Sequence, residues 1–306
     1  MAKYKRTYDG PSSEDVLVQD LIQLMESNDL PPWRREWTGI HGCHRNLATG
    51  QSYKGSNPIL LELGSIMRGH TLPLWIGGAQ AKAEGWFPRK GSKAVRIVRP
   101  QTNRREDETT EPGQDPTVRT WVSYKPVAVF NASDLVGGDE TAEANLQGRI
   151  RQALGQGDSL PMSSSARIDS AEATLAEWPV ETQWGGTMAM YSPDLDTIRM
   201  PAREAFTSRE AIVATWAHEQ AHSTGHSKRL DRVMTGTKGS KAYAREELVA
   251  ELASVLVCYR LQVGYMLENH ASYLKSWAGI LKEEPKVLYK VLSQARQAAD
   301  LIVPEA

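Results

Sequence analysis

Cysteine is nearly missing from this chain: Cys43 and Cys258 are the only two in 306 residues. Two thiols, expected in different domains, are too few to read as a disulfide framework, so both are expected to be free in a reducing cytoplasm. Long apolar runs are missing too, and no stretch is long enough to cross a bilayer, so no membrane partner is expected. The opening segment Met1-Ala2-Lys3-Tyr4-Lys5-Arg6 lacks the apolar core of a secretion signal. A net charge is also lacking. With 36 basic and 37 acidic residues the balance is −1, so global electrostatics do not announce a nucleic-acid binder. Internal repeats are absent.

The composition that remains, 40% hydrophobic and 24% charged, is that of a soluble globular protein, and the length suits two domains. Charge is uneven within the balance. Seven cations (Arg89, Lys90, Lys93, Arg96, Arg99, Arg104, Arg105) lie between Phe87 and Arg105 with no acid among them. Glu106, Asp107, Glu108, Glu111 and Asp115 follow at once. The stretch from Gln101 to Val118 reads as an exposed loop between two strands, its acids keeping it solvated.

Apolar periodicity predicts a first helix over Ser13–Glu26, ended by Pro31-Pro32, and a second near Asn57–Met67. A short strand is expected at Trp75-Ile76, a helix near Gly78–Glu84, and strands at Val95–Val98 and Trp121–Phe130. This makes an N-terminal α/β domain over residues 1–136. Residues 137–165 read as a linker region containing one helix near Glu143–Leu154. The C-terminal domain, 166–306, is expected to be mostly helical. It would open with a helix near Ser170–Trp178 and a hairpin pairing Thr187–Tyr191 with Thr197–Met200, and end with helices near Glu268–Lys282 and Pro285–Ile302. The fold class is α+β.

The most informative motif is His218-Glu219-Gln220-Ala221-His222. Imidazoles at i and i+4 lie one helical turn apart on one face, where both can reach a single metal ion. Thr207 and Glu210 form a capping-box pattern at the start of that helix, and Gly225 is a natural stop. Glu219, at the rim of the same face, is placed to act as a general base toward a water nucleophile. A third ligand is needed, and His226 lies past the stop. The better candidate is on the next helix, capped by Ser240. Glu247 and Glu251 are four apart on one face, where like charges repel unless a cation sits between them. Glu247 is assigned as ligand and Glu251 as the carboxylate holding a histidine ring by its other nitrogen. Glu246 points about a hundred degrees away. Zinc suits the set, with manganese or cobalt as alternatives.

The N-terminal half offers Trp33, Trp37, Tyr53 and Trp75 with Arg34, Arg35, Lys54, Arg89, Lys90 and Lys93 nearby in sequence. Aromatic faces combined with cations are what hold single-stranded nucleic acid.

The ordered set Pro32-Trp33-Arg34, Trp37, Asn46, Gly50, Tyr53, Gly55, Asn57, Gln80-Ala81-Lys82, Arg89-Lys90-Gly91 and Val129-Phe130-Asn131 resembles the N-terminal domain of the ArdC antirestriction family. Tyr191-Ser192-Pro193, His218 to His222, Thr224-Gly225-His226, Arg229-Leu230, Tyr243 to Glu251 and His270 to Tyr273 are similar to that family's zincin-like metallopeptidase domain. The resemblance implies a protein of a conjugative plasmid or other mobile element that protects incoming DNA from host restriction in a bacterial cytoplasm. It implies single-stranded DNA as a partner, with Trp33, Arg34, Trp37, Tyr53, Lys54, Arg89 and Lys90 as the contacting residues. Restriction-enzyme subunits of the host would be the protein partner. Gln220 and Ser223 depart from the family pattern, where an apolar residue and a tryptophan are usual, and are expected to alter the substrate cleft. The rival reading is a non-catalytic single-strand-binding shield with a structural metal; a nuclease is less consistent with the motif.

Overall fold

The structure is a computed structural model, and it describes residues 18, 19, 22, 44–107, 117–155, 164–234, 236, 237, 239–263, 271–285 and 287–305. The chain is an α+β protein of two domains.

The N-terminal domain is built on a four-stranded sheet. Its strands are β1 (Arg45–Asn46), β2 (Leu74–Gly77), β4 (Val95–Asp107) and β5 (Thr117–Asn131), in the order β1-β2-β5-β4. Successive side chains of a strand point to opposite faces, and β2 uses both. Leu74 and Ile76 enter one core with Leu47, Trp86 and Leu135, while Trp75 enters another with Leu61, Val95, Ile97 and Val129. Helix α1 (Asn57–Arg68) lies against β4, and α2 (Gly78–Ala83) leads into β3 (Trp86–Pro88), which pairs antiparallel with β6 (Leu135–Gly137). Helix α3 (Glu140–Gly155) sets Leu146 and Ile150 into the Leu74 core. Gly137 is required there: a Cβ would lie 2.1 Å from the backbone nitrogen of Glu143.

Two expectations change in this half. Trp75 is fully buried and donates its indole N–H to Nδ1 of His44 at 3.0 Å, so it cannot stack on a base. The supposed loop after Pro100 is shorter than expected, because β4 and β5 stay paired out to Asp107 opposite Thr117. Thr117, Val118, Thr120, Trp121 and Val122 are residue types that favour strands.

The C-terminal domain begins with α4 (Ser164–Ala176) and a three-stranded sheet of order β7-β9-β8. The expected hairpin is β8 (Met190–Ser192) against β9 (Thr197–Pro201); β7 (Thr182–Gly186), which lies parallel to β9, was not foreseen. Four helices follow: α5 (Arg209–Ser223), α6 (Lys241–Arg260), α7 (Ala271–Glu283) and α8 (Val287–Ile302). Helices α5 and α6 are buried on nearly every side, and α8 packs its Val291, Leu292, Ala295 and Ala299 stripe on them. Val18 and Ile22, all that is described of the first expected helix apart from Gln19, join this core together with Ile59 and Leu60 of α1. The two domains therefore share a hydrophobic interior. Cys258 is buried in it, its thiol pushed up to about 12 by burial and by the charge of Glu251. Among the described residues no helix is long and apolar enough to cross a membrane.

Candidate metal centre

Helix α5 starts one residue later than its sequence pattern suggests. Ser208 is the N-cap, extended at φ −156° and ψ 164°, and its hydroxyl accepts from the backbone N–H of Ala211 at 3.1 Å. Helix α6 is capped as expected, the Ser240 hydroxyl accepting from Tyr243 at 3.2 Å. These two starts set the phase in which the helices face each other.

In that phase His218, His222 and Glu247 converge, their ligand atoms all within 4.8 Å of one another. Nε2 of His218 and Nε2 of His222 are 3.1 Å apart, and Glu247 lies 3.7 Å from the first and 3.5 Å from the second. A tetrahedral ion with bonds of 2.0–2.1 Å needs ligand atoms about 3.3 Å apart, so the triangle has the right edge. The two rings stand nearly perpendicular, at 86°.

The other ring nitrogens face carboxylates. Nδ1 of His218 is 3.6 Å from Glu251, and Nδ1 of His222 is 3.4 Å from Glu246. Protons held on the Nδ1 side leave both Nε2 atoms as acceptors, and two acceptors at 3.1 Å repel unless a cation joins them. The surroundings favour a cation strongly. Burial works against charge on the His222 ring, yet the bond to Glu246 and the charges of Glu247 and Glu219 lift it to about 9. Burial also opposes ionisation of Glu247, but the two histidines hold it at about 2. A proton and a divalent metal thus compete for one place.

Four glutamates sit here at 8% exposure or less: Glu219, Glu246, Glu247 and Glu251. This rules out a solvated acidic patch. Glu246, set aside in the sequence reading because it lies a hundred degrees from Glu247, faces His222 from the side. It is held there by Arg232, which donates Nε at 3.0 Å and Nη2 at 2.6 Å to the two carboxylate oxygens. The same guanidinium donates to Thr224 Oγ1 at 2.7 Å and to the Ala221 carbonyl at 2.8 Å. Gly225 is explained by this packing more than by a helix stop. It keeps a negative φ, and a Cβ would lie 2.8 Å from Met234 Sδ and 3.0 Å from Arg232 Nη2. His226 stands apart from the three, its Nδ1 accepting from the Lys228 N–H at 3.1 Å.

A second cluster ties the small sheet to the end of α5. Arg229 pairs with Asp196 in the β8–β9 turn, the Tyr191 hydroxyl donates to Asp196 at 2.8 Å, and Arg229 Nε donates to the Ser223 carbonyl at 2.7 Å.

Known proteins share this layout. The family described as the N-terminal domain of anti-restriction factor ArdC matches residues 13–130, and the zincin-like metallopeptidase family matches residues 169–294. The metal-free crystal structure of the antirestriction protein ArdC from plasmid R388 is 28% identical. It superposes with a TM-score of 0.68 over 94% of this chain and 96% of that one. The chain is an ArdC-type protein. The Mn(II)-bound structure of the R388 protein matches at 26% identity and a TM-score of 0.65, covering 95% of this chain and 97% of that one. A DNA primase TraC of Escherichia coli is 30% identical over 94% of this chain. The chain spans only 20% of that relative's length, and 28% of a second TraC primase to which it is 28% identical.

The two departures from the ArdC pattern do not line the metal side. Gln220 is fully buried and donates to the Leu175 carbonyl of α4 at 2.7 Å, and the Ser223 hydroxyl accepts from the Trp178 indole at 2.9 Å. Both side chains turn toward α4 and the Trp178 turn that follows it. Of the residues expected at DNA, Trp33, Arg34 and Trp37 lie outside the described residues. Tyr53 is half-buried against the Trp75 core, its hydroxyl accepting from Asn46 at 3.3 Å. Lys54 is exposed beside it, and Arg89 and Lys90 are exposed on the turn after β3.

Proposed function

We propose that this chain is an antirestriction protein that couples single-strand binding to metal-dependent peptide hydrolysis. The observation that carries the reading is the convergence of His218, His222 and Glu247 beside a helix that also carries Glu219. His218, His222 and Glu247 would hold a divalent metal. Zinc best suits two imidazoles and a carboxylate, and manganese, present in the R388 relative, or cobalt also fits the donor set. When bound, such a metal supplies Lewis acidity toward a carbonyl and makes water more acidic.

The chain's own residues do the rest. The Glu219 carboxylate, at 7% exposure, takes the proton of the attacking water and returns it to the leaving amine. Glu251 and Glu246, 3.6 and 3.4 Å from Nδ1 of His218 and His222, would orient the two imidazoles. In the N-terminal domain Trp33, Trp37 and Tyr53 would stack bases while Arg34, Lys54, Arg89 and Lys90 contact phosphates, with little sequence preference. A protease carried by the entering strand would meet restriction subunits, or other proteins that settle on that strand, as substrates.

The test is transfer of an unmodified plasmid into a restricting host, with wild type against Glu219→Gln. The substitution is nearly isosteric and removes only the base. Loss of protection by a folded, metal-loaded variant is the expected result. Full protection would replace hydrolysis with the shield reading, in which the metal is structural and DNA binding alone suffices.

A further inference from the structure

The β4–β5 hairpin outgrows the sheet that it starts in. Strand β2 pairs with β5 only at Val129–Asn131, so beyond Val98 the two long strands are paired with each other alone. Asn57 of α1 anchors the departure point. Its side chain accepts from the Val98 N–H at 2.9 Å and donates to the Val98 carbonyl at 3.0 Å, taking the place of a neighbouring strand. From Arg99 to Asp107 the ribbon then extends about 25–30 Å at the usual rise of a strand.

Charge along this ribbon is one-sided. Neither Phe87–Arg105 nor Thr117–Ser133 contains an acid. The register sets Arg99 directly opposite Lys125, and Arg105 directly opposite Arg119. Like charges facing each other across strands are destabilising. Arg99 and Lys125 are both exposed, and among the described residues neither forms an ion pair. Between the two basic pairs stand Gln101 opposite Ser123 and Asn103 opposite Trp121, which are neutral positions. Acids begin only at the far end, with Glu106 and Asp107.

We propose that this ribbon is a track for the phosphate backbone of single-stranded DNA, additional to the contacts named above; it rests on the single-strand reading of the N-terminal domain. Phosphates would relieve the Arg99–Lys125 repulsion, and the span from Arg99 to Arg105 is about 20 Å. The acidic end favours a single strand over a duplex. A flexible strand leaves the ribbon before Glu106, whereas a rigid duplex laid along it would meet those acids.

The experiment measures affinity of the full chain for a thirty-nucleotide oligo-dT and for a thirty-base-pair duplex across a salt series. Arg99→Ala/Lys125→Ala is compared with wild type and with Arg151→Ala/Lys290→Ala, which removes the same charge from exposed helix positions. Each single-strand phosphate contact contributes about 0.7 to the slope of log affinity against log salt. The ribbon variant is expected to lose about 1.4 from that slope with oligo-dT, while the control keeps the wild-type slope. Thermal melting at the wild-type temperature shows that the variant is folded. An unchanged slope in a wild type that binds oligo-dT overturns the ribbon and leaves the single-strand reading intact. A loss confined to the duplex overturns the single-strand assignment of the ribbon. A wild type that binds neither probe overturns both.

Discussion

Replacing Arg232 by alanine is the sharpest perturbation that the metal centre offers. The Arg232 side chain is 3% exposed and that of Glu246 is 9%, and the pair is joined by two hydrogen bonds. Alanine leaves the buried Glu246 carboxylate only the His222 ring, 3.4 Å away, and removes the guanidinium donor from Thr224 Oγ1 and from the Ala221 carbonyl. Removing one member of a buried pair costs about 3–5 kcal/mol, most of it the penalty for the uncompensated charge. At 2–4 °C per kcal/mol, the scale for chains of 150–250 residues, melting should fall by roughly 6 °C or more. Removing both charges tests the cause. Arg232→Met/Glu246→Leu takes away the buried carboxylate and should be clearly more stable than Arg232→Ala, whatever its metal affinity. Urea titration of the three proteins reads these differences directly. A loss under about 1 kcal/mol in Arg232→Ala would refute the reasoning, since it would mean that the His222 ring alone suffices for Glu246.

Glu246→Gln keeps the side chain's shape and should weaken divalent-metal affinity by about 10–100-fold by loosening the His222 ring, as isothermal titration would show. Gly225→Ala should destabilise by about 1–3 kcal/mol, because the Met234 sulfur and the Arg232 guanidinium must both move; a neutral result in thermal melting would contradict that packing. The hydrogen bond from Arg229 holds the Asp196 carboxyl at about 2, below its ordinary 3.8. Its contribution is therefore complete above pH 3.8 and is lost as pH falls toward 2. Asp196→Asn, which tolerates the φ of +50° there, should lose about 1–3 kcal/mol at neutral pH and show a flatter acid limb in a stability-versus-pH series.

What could be read ahead of the structure was whatever one helix or one hairpin decides by itself. His218 and His222 share a turn of α5, and Glu247 and Glu251 share a face of α6, so their spacing carried the information. Glu246 was passed over because an angle measured on its own helix cannot reveal Arg232, which arrives from the loop after α5 and turns a side-facing carboxylate into a partner for His222. The same limit hid the fate of aromatic residues. Trp75 looks like a stacking group in sequence, but the partner that receives its indole N–H, His44, is chosen by the tertiary fold. Gln220 and Ser223 were assigned to a cleft because they depart from the residues usual in the ArdC family. The helix turns them toward α4 instead. Strand β7 was missed because Thr182–Gly186 ends in two glycines and earns its place only by pairing with β9.

The measurement that bears most directly on the account is the metal content and affinity of the purified chain after loading with zinc and dialysis, in wild type, His222→Ala, Glu247→Ala and Glu219→Gln. One tightly held ion per chain in wild type and Glu219→Gln, lost in His222→Ala and Glu247→Ala, is the predicted result. Uptake that survives both ligand substitutions, or a wild type that holds no divalent ion, would contradict it.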